Sequence, residues 1–575
     1  MTARIRKPFL FLFILFVGLG IYYPAIFNST FSIDDMDMIR RMEGQEFSLS
    51  KLFLPRSSFY YRPILILSFW VDKWLWDFQP SFALLENVLL HCCNALLIFV
   101  ITQKVSAHLK NAVTIAFGAS LLFIVHPIAT ESVNWMSGRT DLLATMFVLL
   151  SVVLLLKALE SGAYSVLILS LGVFVAGIFS KEIVCTFFPA ALFLIWIYRP
   201  RFPGHGFAST WKPMTLYASP VVLVLGGYVL WRAVKFDHHA RGFSHLLERI
   251  PYEGVDFFRV AFKVFGFYCK KLILPLPLNF SIIKVDDLYA LLGVIIFAVW
   301  IYLLWKRPAQ SVFLLISLFL ISPAIVIALT GIAWTPLAER YIYLPTAFFV
   351  ITVSLGIAKL HLKHYWRNGI ALLLVLWVGS SAVASTQRSM LWQDKKALYA
   401  DTLRKSPDFN KLRNEYGLQL QNDNMTSAAR TQFQEATGDN GTDLGVINEA
   451  RLLMMQDDHE GARDLLVAHY PDIKSMQLSA LKMLGYIEVR RLGSFKEGSK
   501  QQKLILDDLY AIYARLYEKS RDPFYYYRIG QIALGQDDKE KAQRFFAQAY
   551  RLSGSNTHYK EVAGVLAEKL KRETE

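Results

Sequence analysis

The sequence contains few cysteines and few charged residues for its length. Only 4 cysteines occur among 575 residues, and none has the paired spacing of a disulfide framework or a zinc site. Charged residues make up 19% of the chain, whereas 54% of residues are apolar and 14% are aromatic. With a mean hydropathy of +0.34, this composition excludes a soluble globular protein of this size. The sequence therefore predicts a polytopic membrane protein.

Acidic residues are fewer than basic ones, and the formal net charge is +15. Lysine and arginine lie in short clusters between apolar segments, as juxtamembrane charge usually does. They do not form the continuous basic patch that nucleic acid requires. The pattern predicts membrane lipid, and no nucleic acid, as a partner.

Eleven apolar runs are candidates for membrane spans. The first follows a basic start and has no small-x-small cleavage site, which indicates a retained anchor rather than a signal peptide. The runs are residues 8–27, 83–103, 112–126, 141–159, 162–179, 183–198, 213–232, 287–305, 311–329, 343–358 and 369–385. The basic short loops all fall on one side of this topology, which the positive-inside rule places in the cytoplasm. An odd number of spans sends everything after residue 385 to the outer side.

Residues 257–283 are apolar but are broken by lysines and by two prolines. We interpret this stretch as an interfacial or re-entrant segment, because counting it as a span would place Lys306 and Arg307 outside.

After residue 385 the sequence becomes charged and alanine-rich, which predicts a membrane domain at 1–385 and a second domain at 386–575. One spacing recurs in the second domain, at Gly417, Ala429, Phe433 and Ala436, at Gly530, Ala542, Phe546 and Ala549, and less well at Ala450, Ala462 and Leu466. It is the spacing of tetratricopeptide helix pairs of about 34 residues. Small residues let paired helices approach, and several pairs form a concave peptide-binding surface. The predicted fold class is all-α, with a membrane core of about eleven helices followed by a soluble α-solenoid.

The unusual polar residues gather in the predicted outer loops. They are Asp34, Asp35, Asp37 and Arg62 in the first loop, His126, Glu131, Arg139 and Asp141 in the second, Lys181 and Glu182 after the fifth span, and Glu339, Arg340 and Tyr341 in the last. Guanidinium groups suit phosphate because they present a planar fork of donors. A carboxylate near a sugar can accept a hydroxyl proton. The pattern predicts a chamber that binds an anionic headgroup and supplies a base.

Each motif also has a structural interpretation. The first-loop aspartates can cap a helix, His126 before a proline can end one, and the arginines can extend to lipid headgroups. Ion pairs within Lys181-Glu182 and Glu339-Arg340 can hold loops. The coincidence of four motifs on one face favours the chamber.

The motifs F-x-x-D-D, Y-R-P, H-P-I-x-T-E-x-V-x-W-x-x-G-R-x-D-x-L-A, S-K-E and A-E-R-Y-x-Y-L-P precede the repeats in this order. Together they resemble the transmembrane and tetratricopeptide-repeat O-mannosyltransferases, which belong to the C-type (GT-C) membrane glycosyltransferases. The resemblance implies a sugar donor on a polyprenyl phosphate, a hydroxyl acceptor on the outer side and inversion at the anomeric carbon.

The resemblance also implies roles for individual residues. The base would be Asp34 or Asp35, with Asp34 favoured by its place in the motif. The donor phosphate would be bound by Arg62, Arg139, Lys181 and Arg340. The remaining chamber residues would be His126, Glu131, Asp141, Glu182, Glu339 and Tyr341.

No cofactor is expected, and a metal at Asp34 and Asp35 is not favoured because hard cations need more oxygen ligands. The short repeat array and compact size resemble a bacterial member, in the inner membrane, with the site and the repeats in the periplasm. The leading hypothesis is transfer to serine or threonine of an exported protein held by the repeats.

Three alternatives remain. The same catalysis can act on a glycolipid or cell-wall polymer, and a non-catalytic scaffold can recruit partners through the repeats. A transporter would need charges at the bilayer midplane and two related halves, and the predicted spans contain almost no acidic residues.

Overall fold

The computed structural model is helical throughout the part of the chain that it describes. It describes residues 7–28, 35–43, 45–53, 61–199, 211–235, 249–309, 311–360, 364–437, 443–554 and 557–574. Within these ranges the only extended pairing is one antiparallel bridge between Ile282 and Leu337. The all-α fold is therefore confirmed for the described residues.

The chain divides into two compact units, Met1–Ser406 and Pro407–Glu575. The helices of the first unit are α1 Lys7–Ile26, α2 Asp35–Glu43, α3 Leu49–Phe53, α4 Pro63–Trp76, α5 Pro80–Val105, α6 Ala112–Ile124, α7 Ala129–Asn134, α8 Arg139–Ser161, α9 Tyr164–Ser180, α10 Phe187–Tyr198, α11 Trp211–Lys235, α12 Gly254–Ile273, α13 Leu288–Lys306, α14 Val312–Phe319, α15 Ser322–Thr330, α16 Tyr343–Lys359, α17 His364–Gln393 and α18 Lys395–Lys405. Short 3-10 turns precede α8, α10 and α16, at Met136–Gly138, Glu182–Thr186 and Glu339–Ile342.

The helices of the second unit are α19 Asn410–Asn422, α20 Thr426–Ala436, α21 Leu444–Met455, α22 His459–His469, α23 Leu478–Leu492, α24 Lys500–Ser520, α25 Phe524–Gly535, α26 Lys539–Leu552 and α27 Lys560–Thr574. The predicted boundary at residue 385 falls within α17, whereas the contacts divide the chain after Ser406. Helices α17 and α18 thus belong to the first compact unit.

Seven helical segments in the described ranges are long and apolar enough to cross a membrane. They are Lys7–Ile26, Pro80–Val105, Met136–Ser161, Leu288–Lys306, Val312–Thr330, Glu339–Lys359 and Asn368–Gln393. Three shorter apolar segments, Ala112–Ile124, Tyr164–Ser180 and Glu182–Tyr198, coincide with further predicted runs. The chain is a membrane protein with several apolar helices, and the count of eleven spans stays a prediction.

Helix ends place the polar residues of the first unit. Pro63 and Pro80 occupy the first turns of α4 and α5, where a missing N–H costs nothing. Helix α8 ends at Gly162, whose φ of 69° is the left-handed conformation that a glycine adopts easily. Arg62 directly precedes Pro63 and Arg139 is the first residue of α8, so these two charged residues lie at helix termini.

The predicted interfacial or re-entrant segment, residues 257–283, forms the greater part of α12 and a stretch of extended chain. Helix α12 crosses α13 so closely that a Cβ on Gly266 would overlap the Tyr289 carbonyl oxygen. Beyond α12, the Ile282 N–H donates to the Leu337 carbonyl at 3.0 Å. The segment is thereby joined to the predicted last outer loop, while its placement in a bilayer stays a prediction.

In the second unit, consecutive helices pack on one another around apolar cores of their own. Gly417 lies against the Phe433 ring, and a Cβ on Gly530 would lie 2.8 Å from the Phe546 ring. The two best-matched copies of the predicted spacing therefore share one packing contact, in which a glycine admits the ring of the next helix. The tetratricopeptide assignment itself stays a prediction.

Candidate functional site

Charged side chains from separate segments of the first unit come together at helix ends. Six of them, which we call the charged cluster, are Arg62, Glu131, Asp141, Lys181, Glu182 and Arg340. Arg62 directly precedes α4, Glu131 lies in α7 and Asp141 lies in the first turn of α8. Lys181 and Glu182 lie in the connection after α9, and Arg340 lies in the turn before α16. The first, second and last predicted outer loops and the S-K-E motif all contribute to it.

Arg340 is held by a carboxylate and by two aromatic rings. Its guanidinium pairs with Glu131, whose second oxygen accepts the backbone N–H of Arg340 at 3.0 Å. The guanidinium carbon lies 4.8 Å from the ring centres of both Trp135 and Tyr341. Nη2 also donates to Thr335 Oγ1 at 2.9 Å. These contacts fix the plane of the guanidinium, which is the property that bidentate recognition of an anion needs.

Lys181 lies between charges of both signs. Its Nζ donates to Asp141 Oδ1 at 2.5 Å, and both side chains are buried. Burial lowers the pKa of the Lys181 ammonium, Asp141 opposes this shift, and Arg62 and Arg340 add to it. Lys181 Nζ lies 6.0 Å and the Arg340 guanidinium carbon 4.8 Å from the ring centre of Tyr341. Arg62 binds Glu182, the residue after Lys181, so the three cations lie near one another.

Arg62 and Glu182 form a two-point ion pair. Nε of Arg62 donates to Oε2 of Glu182 at 2.8 Å, and Nη2 donates to Oε1 at 2.5 Å. The side chain of Arg62 is 20% exposed and that of Glu182 is 53% exposed. This is the most exposed of the three ion pairs of the charged cluster.

Burial also governs the carboxylate of Glu131. It raises the pKa of Glu131, and the guanidinium and backbone N–H of Arg340 partly offset that effect. In the described part of the site the ion pairs run between segments, from Lys181 to Asp141 and from Arg340 to Glu131. Ion pairs within Lys181-Glu182 and within Glu339-Arg340, the structural interpretation of these motifs, are not the arrangement seen in the described residues.

Asp35 is the first residue of α2, and its carboxylate contacts the segment that precedes α8. Oδ1 accepts the Ser137 backbone N–H at 3.1 Å and the Ser137 hydroxyl at 2.6 Å. The Asp35 side chain is buried. Two residues before Ser137, Trp135 packs on the guanidinium of Arg340. A first-loop carboxylate and the last-loop arginine thus contact the same stretch, residues 135–137.

Arg139, a predicted phosphate ligand, is fully buried and enclosed by α4 and α5. Its nitrogens contact the carboxylates of Asp72 at 2.7 Å and Glu86 at 3.2 Å. They also donate to Asn87 Oδ1 at 2.9 Å and to the Ala83 carbonyl at 2.8 Å. Because protein acceptors surround this guanidinium, its geometry favours holding the start of α8 in place over contacting a ligand.

Two further predicted chamber residues bind the chain around α12. Glu339 pairs with Lys271 at 2.7 Å and accepts the Asn279 backbone N–H at 3.0 Å, deep in the protein. His126 is bonded through Nε2 to the Leu272 carbonyl at 3.2 Å, and its Nδ1 accepts a backbone N–H. Burial lowers the pKa of His126 to about 4, so the ring is neutral near pH 7. Both residues anchor α12 to the site.

Asp34 lies outside the described residues, as does the side chain of Asp37. In the ranges the structure describes, no group of three or more His, Cys, Asp or Glu side chains is arranged to hold a metal ion. The absence of a metal requirement stays a prediction.

Several functional contacts are absent from the sequence prediction. Asp72 is the acidic residue of the apolar stretch PILILSFWVDKWLW, and this isolation was the available signal. Ser137 and Thr335 carry no such signal, because their roles depend on which distant side chain reaches them. Lys271 belongs to a basic run in which the sequence does not single out one lysine.

The long apolar helices of the described ranges and the charged cluster define a membrane protein with a polar site at its helix ends. No protein-family model matches the chain. The chain is similar to protein O-mannosyl-transferase F38B6.6 of Caenorhabditis elegans, with 27% identity over 389 residues, which is 65% of this chain and 53% of that protein.

Two further similar proteins carry the same type of name. Protein O-mannosyl-transferase TMTC3 of Homo sapiens is 23% identical over 436 residues, or 68% of this chain and 46% of that protein. Protein O-mannosyl-transferase TMTC1 of Mus musculus is 36% identical over 102 residues, which is 18% of this chain and 10% of that protein. The chain spans about half the length of the Caenorhabditis elegans and Homo sapiens relatives.

Proposed function

We propose that the chain is a C-type membrane glycosyltransferase that transfers a sugar from a polyprenyl-phosphate donor to a serine or threonine hydroxyl of an exported protein. One observation carries the proposal: Asp35 and Arg340 contact the same stretch, residues 135–137, from two different loops. This shared stretch supports one site that combines a carboxylate for proton transfer with cations for a phosphate. The similarity to proteins named protein O-mannosyl-transferase supports the same reaction class.

The reaction needs both signs of charge. The acceptor oxygen forms a bond to the anomeric carbon as the bond from that carbon to the phosphate oxygen breaks. The acceptor proton passes to a carboxylate, and the electron pair of the broken bond leaves on the lipid phosphate. Attack opposite the leaving phosphate inverts the anomeric centre. Cations that are already held in place stabilise the negative charge that develops on the leaving phosphate, and they need no rearrangement to do so.

We assign the phosphate to Arg62, Lys181 and Arg340, and the base to Asp34 or Asp35. Glu131 orients Arg340 and Asp141 orients Lys181 through direct ion pairs. Arg139 is assigned a positioning role, because Asp72 and its other acceptors enclose it. No metal is required in this scheme.

The second unit is proposed to be a tetratricopeptide solenoid that presents the acceptor polypeptide. The site and this unit would then lie on the outer side of a bacterial inner membrane. The basis is the positive-inside orientation together with the glycine and phenylalanine contacts shared by the two copies.

The test is intact-mass spectrometry of exported proteins from cells that carry the normal chain, Asp34→Asn, Asp35→Asn or no copy. We expect a hexose-sized or pentose-sized mass on one or a few proteins, absent without the chain. Loss of the base should reduce transfer about 100-fold or more. Asn at position 35 can still accept both Ser137 hydrogen bonds through Oδ1, so the fold should be retained.

The two single variants show which aspartate is the base. Only substitution of the base should abolish transfer while normal amounts of the protein remain in the membrane. If no exported protein changes mass in any strain, the protein-acceptor proposal is wrong. The polyprenyl-linked glycolipids of the same strains would then show whether the acceptor is a lipid.

A further inference from the structure

The Arg62–Glu182 ion pair differs from its two neighbours in how firmly its carboxylate is held. Glu131 is buried and bonded to both the guanidinium and the backbone N–H of Arg340. Asp141 is buried against Lys181. Removing either carboxylate from its partner would leave a buried charge uncompensated, which is strongly unfavourable.

Glu182 is held through Arg62 and through a hydrogen bond to its own backbone, but its side chain is not buried. Its carboxylate is half exposed, and its hydrogen-bonded ion-pair partner is Arg62. Separating an ion pair costs less where water can solvate the released charge than where both partners are buried. Glu182 can therefore turn toward solvent at a lower cost than Glu131 or Asp141 can.

The same two donors of Arg62 suit a phosphate. A carboxylate and a phosphate each present two oxygens to the fork formed by Nε and Nη2. The Arg62 side chain is less exposed than that of Glu182 and acts electrostatically on Lys181 together with Arg340. Arg62 is thus close enough to Lys181 to act on its charge even while it is paired with Glu182, the residue after Lys181.

We propose that Glu182 is an internal competitor for the donor: it occupies Arg62 while the site is empty and leaves when the phosphate of the lipid-linked sugar binds. This inference rests on the proposed function, because it concerns the anion that the charged cluster receives. Glu182 thereby sets the affinity of the site for the donor rather than the chemical step. Removing its charge should tighten phosphate binding, which is the opposite of what loss of a ligand-binding residue does.

A matched control exists at the end of α8 opposite to Asp141. Glu160 pairs with Lys104, and its side chain is 53% exposed, the same fraction as that of Glu182. Helix α8 separates it from Asp141 by about 30 Å. Glu160→Gln therefore makes the same chemical change in an equally exposed ion pair far from the site.

The experiment measures the Kd of undecaprenyl phosphate for the purified full-length chain in detergent. Glu182→Gln should lower this Kd about two- to five-fold, which is the range that an exposed ion pair accounts for. Glu160→Gln should leave it unchanged. Arg62→Gln should raise it, and adding Glu182→Gln to Arg62→Gln should give no further tightening, because the competition requires Arg62.

Inorganic phosphate is the second probe. Tightening for undecaprenyl phosphate alone assigns the effect to the lipid-linked group, and equal tightening for both assigns it to the phosphate as such. A Kd for Glu182→Gln that equals or exceeds the wild-type value overturns the inference, as does a wild-type chain that does not bind undecaprenyl phosphate. If the wild-type chain binds this lipid but glycosylates nothing in cells, the proposed function fails while the competition stands.

Discussion

At the scale of single residues, Lys181 combines a buried ammonium with two neighbouring guanidinium groups. Asp141 keeps this cation charged, while burial and the charges of Arg62 and Arg340 lower its pKa below the ordinary value of 10.5. The sign of the pH effect follows directly. As the pH rises, Lys181 loses its proton earlier than a free lysine would, and the site loses one of its three cations.

Binding of undecaprenyl phosphate should therefore weaken on the alkaline side, at a pH below the pKa of an ordinary lysine. Lys181→Arg should move this weakening to higher pH, because a guanidinium stays protonated throughout the range. The measurement is the Kd at a series of pH values for both proteins, with Glu160→Gln as the reference. Identical alkaline profiles for the wild-type chain and the Lys181→Arg variant would contradict this role of the ammonium.

The residue types of the site could be predicted from the sequence, whereas their pairings could not. Charged motifs at the ends of apolar runs indicated Lys181, Arg340 and Glu131, because charge at a bilayer boundary is costly without a use. Arg139 carried the same signal, yet it is enclosed by Asp72 and Glu86. Nothing in a local pattern reveals which carboxylate from a distant helix reaches an arginine.

At the scale of the helices, the crossing of α12 over α13 holds one side of the site. Helix α12 supplies Lys271, which binds Glu339 beside Arg340, and Tyr268, which bonds the backbone of Ala338. The crossing depends on Gly266 and Gly293, whose backbones approach too closely for a side chain. The position of the turn Glu339–Ile342 thus depends on two glycines that carry no charge and make no contact with it themselves.

Gly266→Ala should destabilise the protein by about 1–3 kcal/mol, the usual result of overpacking a close contact. It should also reduce transfer, because Lys271 is displaced. The thermal midpoint of the detergent-solubilised protein measures the first effect and intact-mass spectrometry the second. The control is Gly172→Ala in α9, where a Cβ meets nothing within 4 Å. Equal midpoints for the two variants would show that the crossing tolerates a side chain.

The positions of several helices could be predicted from the apolar runs of the sequence. The run at 141–159 lies within α8, and the run at 287–305 corresponds to α13. The run at 311–329 is divided between α14 and α15, with Pro323 in the first turn of α15. Helix α4 was not among the predicted runs, since Asp72 and Lys73 interrupt it. Apolar content alone does not show where a helix breaks or where a charge is tolerated.

At the scale of the whole molecule, the chain consists of two units with separate cores. The second unit buries Ala542, Phe546 and Ala549 completely, as the recurring spacing indicated. The equivalent residues Ala429, Phe433 and Ala436 of the earlier copy are buried in the same way. In both copies the ring packs where a glycine leaves room for it. Helices α17 and α18 are polar in part but pack with the first unit, and the predicted bounds of the two domains stay a prediction.

The fragment 407–575 should fold alone, with a helical circular-dichroism spectrum and one cooperative melting transition. Within this fragment, Phe546→Ala should cost about 3–5 kcal/mol, because it empties the space above Gly530. The control is Leu552→Ala, at a side chain that is 55% exposed. A fragment that melts without cooperativity, or equal melting temperatures for the two variants, would contradict an independent core.

The enclosure of Arg139 has a consequence for how the chain enters the membrane during synthesis. Asp72 and Glu86 precede Arg139 in the sequence, so they leave the ribosome first. An arginine that enters an apolar interior without a counter-charge costs several kcal/mol. We expect this order to favour insertion of α8, because the carboxylates of α4 and α5 are synthesised before the guanidinium that they enclose.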